Sequence, residues 1–86
     1  MTKRIGVIGI VVQGDRTVVS DLQEILTDYG DIIIGRMGVP DKENGIYAIS
    51  VVVKGNPEEI NALSGKIGRL SNVKVKSAIN TIEIDN

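Results

Sequence analysis

Eighty-six residues, 42% hydrophobic and 24% charged, are enough for one globular domain and too few for a second core. The chain has no Cys and no His, which excludes disulfides, thiolate chemistry, an imidazole base and the usual zinc, copper or nickel ligands, so neither metal nor cofactor is expected. A formal net charge of −1 gives no general attraction to nucleic acid, and no direct DNA or RNA binding is expected.

The chain opens on Thr2-Lys3-Arg4 and the apolar run 5–12. That opening is faintly like a signal peptide, but the run is short for one and Val12-Gln13-Gly14 makes a poor cleavage site. No stretch is long enough to span a bilayer, so the cytoplasm is the expected location and no membrane role is expected. Residues 4–12 read as a strand that is apolar on both faces, Ile5, Val7 and Val11 on one and Ile8, Ile10 and Val12 on the other. Gln13-Gly14-Asp15-Arg16 then joins strand to helix. Asp15 stands where a side chain would accept the orphan N–H groups of a helix start, and such groups can also receive an anion. These four residues are candidate ligand contacts, and a Gly-assisted turn with an N-cap is the alternative. Within the first helix Val18, Val19, Leu22, Ile25, Leu26 and Tyr29 share one face, and Gly30 ends it.

A second strand follows, in which Gly35 and Gly38 mark a bulge or a close approach at a sheet edge that can join a neighbour's edge. Residues 40–45 form a hairpin or a longer loop, and 46–54 is a second strand apolar on both faces. Asn56 is the expected N-cap of the second helix, with Pro57 at its first position and Glu58 and Glu59 in its first turn. Ile60, Leu63, Ile67 and Leu70 make its apolar stripe. Asn61, Gly65 and Gly68 lie on another flank. A helix-interior glycine costs about 1 kcal/mol relative to alanine, so the two invite a packing reason, a second subunit's backbone approaching closely. Lys66, Arg69, Lys74 and Lys76 gather positive charge near the helix end, where cations complement the helix dipole.

The two halves match. Ile5, Ile8, Val11, Val12 and Gly14 recur 41 positions later as Ile46, Ile49, Val52, Val53 and Gly55, and Leu22, Leu26 and Ile32 align with Leu63, Ile67 and Val73. Two tandem βαβ units, about 4–39 and 45–82, make a single domain over 1–86 of the ferredoxin-like α+β class. The expected fold is βαββαβ with an antiparallel sheet of order 4-1-3-2 and both helices on one face. Its two central strands are apolar on the uncovered face as well, which predicts a homo-oligomer, dimer or tetramer, that buries this face or extends the sheet. Gly6, Gly9 and Ser50 softening that face enough for a monomer is the alternative.

Gly14-Asp15-Arg16, an apolar helix and Tyr29-Gly30-Asp31-Ile32-Ile33 together resemble the ACT domain, a small ferredoxin-like regulatory module. Over nearly the whole chain, Ala62-Leu63-Ser64-Gly65-Lys66-Ile67-Gly68-Arg69-Leu70, then Val73-Lys74-Val75-Lys76, and Arg36-Met37-Gly38-Val39-Pro40 are similar to small stand-alone ACT-like proteins labelled as regulators of iron-only hydrogenase systems. The resemblance implies regulation through a small effector held between subunits, with Gln13, Gly14, Asp15, Arg16 and Asp31 as ligand contacts. Thr17-Val18 stand where ACT modules commonly carry Pro-Gly, and Asp31 where they often carry Asn; a carboxylate there repels a ligand carboxylate. The same group is likened to the nickel-sensing domain of a repressor, but a chain without His or Cys lacks that metal site.

Catalysis is not expected, because eleven carboxylates spread along solvent faces make no acid–base pair. Val12-Gln13-Gly14 echoes the start of an acylphosphatase loop, but the glycines that continue that loop are missing. RNA binding through the sheet would need exposed aromatics, and only Tyr29 and Tyr47 are present. Two classes survive, an effector-binding regulator and a protein-interaction or structural module with no small-molecule ligand.

Overall fold

The computed structural model describes residues 2–14, 16–80 and 82–85. The chain runs β1 (Thr2–Gln13), α1 (Arg16–Asp28), β2 (Ile33–Asp41), β3 (Ile46–Gly55), α2 (Pro57–Gly68) and β4 (Val73–Ile79), then a two-residue β5 (Ile84–Asp85). This is the ferredoxin-like βαββαβ fold, with antiparallel strands in the order β2-β3-β1-β4. The order follows from the sequence: the strands richest in Val and Ile are the two central ones.

β1 alternates buried and exposed from Gly6 onward, and the buried set Ile8, Ile10 and Val12 faces the helices. Ile49, Val51 and Val53 of β3 line up beside them. Val18, Leu22 and Leu26 of α1 and Ile60, Leu63 and Ile67 of α2 close the core from above. Burying a residue of this size is worth roughly 1.5–3 kcal/mol, so this single layer of aliphatic side chains carries most of the stability. Among the described residues no polar side chain is buried in it.

Each helix start is local chemistry. At α2 the Asn56 side chain accepts from the Glu59 N–H at 2.8 Å, while the Glu59 carboxylate accepts from the Asn56 N–H at 3.1 Å. Two orphan donors are thereby satisfied reciprocally. The matching N-cap expected at Asp15 lies outside the described residues. At the far end of α1 the Gly30 N–H donates to the Thr27 carbonyl at 3.1 Å, and a Cβ on Gly30 would crowd that same oxygen at 3.2 Å.

Three features differ from the sequence reading. β1 begins at Thr2, because Thr2 and Lys3 pair with β5, and Arg4 reaches Glu83 at 3.6 Å. β2 carries a bulge between Ile33 and Gly35 that leaves Ile34 outward and exposed. Gly6 belongs to the helix side and not to the open face, since a Cβ there would lie 3.3 Å from Val53 Cγ2 and 3.6 Å from Ile79 Cγ1. Space for those two side chains explains the glycine.

Candidate functional site

The register that pairs Gln13 with Ile46 brings the β1–α1 turn beside the β2–β3 hairpin. Gly14 turns the chain with φ +76°, and its N–H donates to the Gly45 carbonyl at 2.8 Å. Gly45 has φ +64°, so both halves of the junction use the left-handed region that glycine enters at little cost. Asp41 holds the hairpin in shape, its carboxylate accepting from the Asn44 side chain at 2.9 Å and from the Asn44 N–H at 3.3 Å.

Between turn and hairpin lies an open cleft of about 390 Å³. Val12, Val19, Pro40 and Tyr47 supply an apolar wall, Arg16 and Lys42 stand at it as cations, and Asp41, its carboxylate held by Asn44, is the acid in the lining. Arg16 is the first residue of α1, and the first turn of that helix holds no acid. A cation at the positive end of a helix dipole is electrostatically misplaced. An anion in the cleft would meet Arg16, Lys42 and the dipole together.

Of the five candidate ligand residues, Gly14 and Arg16 line this cleft. Gln13 is exposed beside it, its N–H given to the Asn72 carbonyl at 3.0 Å. Asp15 is outside the described residues. Asp31 follows the other end of α1, and a 13-residue helix separates it from Arg16 by about 20 Å. One chain therefore cannot bring Asp31 and Arg16 to one small molecule. Sequence reading missed Val19, Lys42 and Tyr47 as cleft residues because only the long-range register brings the hairpin there.

The candidate contact residues fall into two groups. Gly38 and Gly68 have causes inside the chain: a Cβ on Gly38 would lie 2.5 Å from the Tyr47 hydroxyl, and one on Gly68 would lie 3.3 Å from Val75 Cγ1. Gly35 and Gly65 have nothing within 4 Å of a Cβ, and Asn61 is exposed, so these three surfaces are open. The uncovered sheet face is open as well, with Val7 44%, Val11 42%, Met37 64% and Val39 51% exposed. Its centre is a shallow depression of about 220 Å³ over Gly9 and Ser50. Among the described residues no three carboxylates come together, and no helix is long and apolar enough to cross a membrane.

A two-helix, single-sheet βαββαβ domain with a glycine turn before α1 has the architecture of an ACT-like module. The ACT domain of the GTP pyrophosphokinase of Chlorobium tepidum superposes with a TM-score of 0.77 over 90% of this chain and 100% of its own, at 15% identity. The C-terminal domain of the MgtC protein of Mycobacterium tuberculosis shares the fold at a TM-score of 0.70 and 7% identity, over 90% of this chain and 87% of its own. A nearer likeness is the uncharacterized protein TM1266 from Thermotoga maritima, 34% identical, with a TM-score of 0.87 over 90% of this chain and 96% of that one. Residues 4–77 match the TM1266-like family, described as "Iron-only hydrogenase system regulator, putative", and the chain belongs to that family. No curated protein gives a match.

Proposed function

We propose that this chain is a non-catalytic regulatory domain that assembles with copies of itself, as a dimer or tetramer, and binds a small anionic effector in the cleft beside Gly14 and Arg16. Its output acts on an iron-only hydrogenase system in the cytoplasm. The regulator family supports the class of function, and the cleft supports the ligand class. The carrying observation is the pair of cations, Arg16 and Lys42, beside an apolar wall at the start of a helix with no acid in its first turn. Such a site favours a small carboxylate or phosphate with an apolar body. Asp31 can contribute only from a second copy, since a whole helix separates it from the cleft.

Thermal melting against a panel of small carboxylates and phosphates tests this reading. A ligand present at 100 times its Kd stabilises the fold by about 2.7 kcal/mol. In a domain of this size that raises Tm by roughly 11–22 °C. Arg16→Ala and Lys42→Ala, both at exposed positions, should each shrink the rise, and Arg16→Ala, which removes the misplaced cation, should leave the free protein melting no lower. A panel that moves no Tm would favour the second reading, a protein-interaction module without a small ligand, which the exposed apolar sheet face supports.

A further inference from the structure

The face of the sheet away from the helices is ordered in rows by the strand register. Across β2, β3, β1 and β4 one row reads Val39, Ala48, Val11, Lys74. The next reads Met37, Ser50, Gly9, Lys76. Both rows are thus apolar at the β2 border, small or aliphatic in the middle and cationic at the β4 border. The cations of these two rows therefore lie on one border and the longer apolar side chains, Met37 and Val39, on the other.

We infer that this face is the contact between two copies of the chain, stacked sheet on sheet with the two-fold axis running along the strands. The inference rests on the assembly part of the proposed function and specifies its surface. Four strands about 4.8 Å apart and on average about nine residues long give a patch of roughly 19 by 30 Å, ~570 Å² on each copy. Two such patches reach the approximately 1,000 Å² at which a specific interface becomes credible.

Charge selects the axis. With the axis across the strands, β4 would lie over β4, and Lys74 and Lys76 of both copies would meet along one border as like charges. With the axis along the strands, β4 of one copy lies over β2 of the other. Each lysine stem then covers Met37 or Val39, and the lysines of the two copies lie on opposite borders of the contact. The face is self-complementary under this operation, as an isologous contact requires. In the middle, Gly9 of one copy lies over Ser50 of the other and Val11 over Ala48. Gly9, Ser50 and Ala48 let the sheets approach, and the depression over Gly9 and Ser50 leaves room for side chains of the opposing copy.

The test uses the full chain and two readouts. Native mass spectrometry of the unaltered protein should show an even number of copies, and Val11→Glu should halve that number with the circular dichroism spectrum retained. Met37→Glu, at a more exposed position, is the second variant should Val11→Glu fail to fold. An oligomer untouched by a folded glutamate variant overturns this contact and leaves assembly through another surface standing. An unaltered protein that is monomeric overturns both. The axis is read by disulfide trapping, which is clean because the chain has no cysteine. Met37→Cys mixed with Lys76→Cys should give the cross-linked heterodimer, and Lys76→Cys alone should give none. The reverse pattern overturns the axis.

Discussion

Replacing Gly38 by alanine would place a methyl group where the phenol of Tyr47 lies. The new Cβ would stand 2.5 Å from the hydroxyl oxygen and 3.1 Å from Cε1 and Cζ, against ordinary contacts of about 3.5–4 Å, so the ring must move by about 1 Å. Turning Tyr47 off its rotamer costs about 0.5–1.5 kcal/mol, and the contacts it loses with the core cost about 0.5–1 kcal/mol more. Exchanging glycine for alanine inside a strand returns about 0.5–1 kcal/mol. The net is a loss of about 0.5–1.5 kcal/mol, and each kcal/mol lowers Tm by roughly 4–8 °C in a domain of this size. In a Tyr47→Ala background the clash is absent, and the same substitution should raise Tm instead. The assay is a double-mutant cycle of thermal melts at one protein concentration, where coupling appears as this reversal of sign. Because Tyr47 also walls the cleft, Gly38→Ala should reduce any ligand-induced rise in Tm. Equal effects in the two backgrounds would refute the idea that room for Tyr47 is what Gly38 provides.

Asn56→Ala removes the acceptor of the α2 capping box and should cost about 1 kcal/mol, seen as a Tm lower by roughly 4–8 °C, whereas Asn56→Asp should melt near the unaltered protein. Identical melting of the alanine variant would mean that tertiary packing, not the cap, fixes where α2 begins. A Cβ at Gly65 meets nothing within 4 Å, and Gly65→Leu improves helix propensity by up to about 1 kcal/mol, so the fold should melt higher. If the flank of α2 with Asn61 and Gly65 is the second contact of a tetramer, native mass should fall to the dimer. Unchanged mass at a higher Tm removes that flank from the assembly.

What the sequence disclosed about the fold is what local periodicity encodes. The recurrence of Ile5, Ile8 and Val11 as Ile46, Ile49 and Val52 gave two equivalent halves, and apolar residues on both faces of those strands made them central in the sheet. Asn56-Pro57-Glu58-Glu59 announced its helix because each residue there acts on its immediate neighbours. The bulge at Ile34 was not legible, since a bulge is a mismatch between partners and β2 alone shows only an apolar residue in step. β5 was missed for a related reason: a two-residue strand has no period, and only its pairing with Thr2 and Lys3 defines it. Within the site, Gly14 and Arg16 could be named from the strand-to-helix turn, but Lys42 and Tyr47 join them through a register 26 to 33 residues away in sequence. Asp31 is the opposite case. It is near Arg16 in the chain, and the rigid helix between them keeps the two apart.

The internal repeat also shows where the chain departs from its own best solution. Both halves must start a helix after a central strand, and the second does so with proline first, two glutamates in the opening turn and a reciprocal cap. These are the choices that helix electrostatics and caps favour. The first half puts Arg16 at the corresponding position, leaves its opening turn without an acid and adds Lys42 from the hairpin. A position that breaks a local rule while its structural twin obeys it is where function is the better explanation than folding. The departure places a cation at the positive end of the helix, and a bound anion would offset it. The same asymmetry ties the effector to the fold: among the described residues the β2–β3 hairpin packs against the turn of the first repeat, and that contact forms the cleft at its helix start.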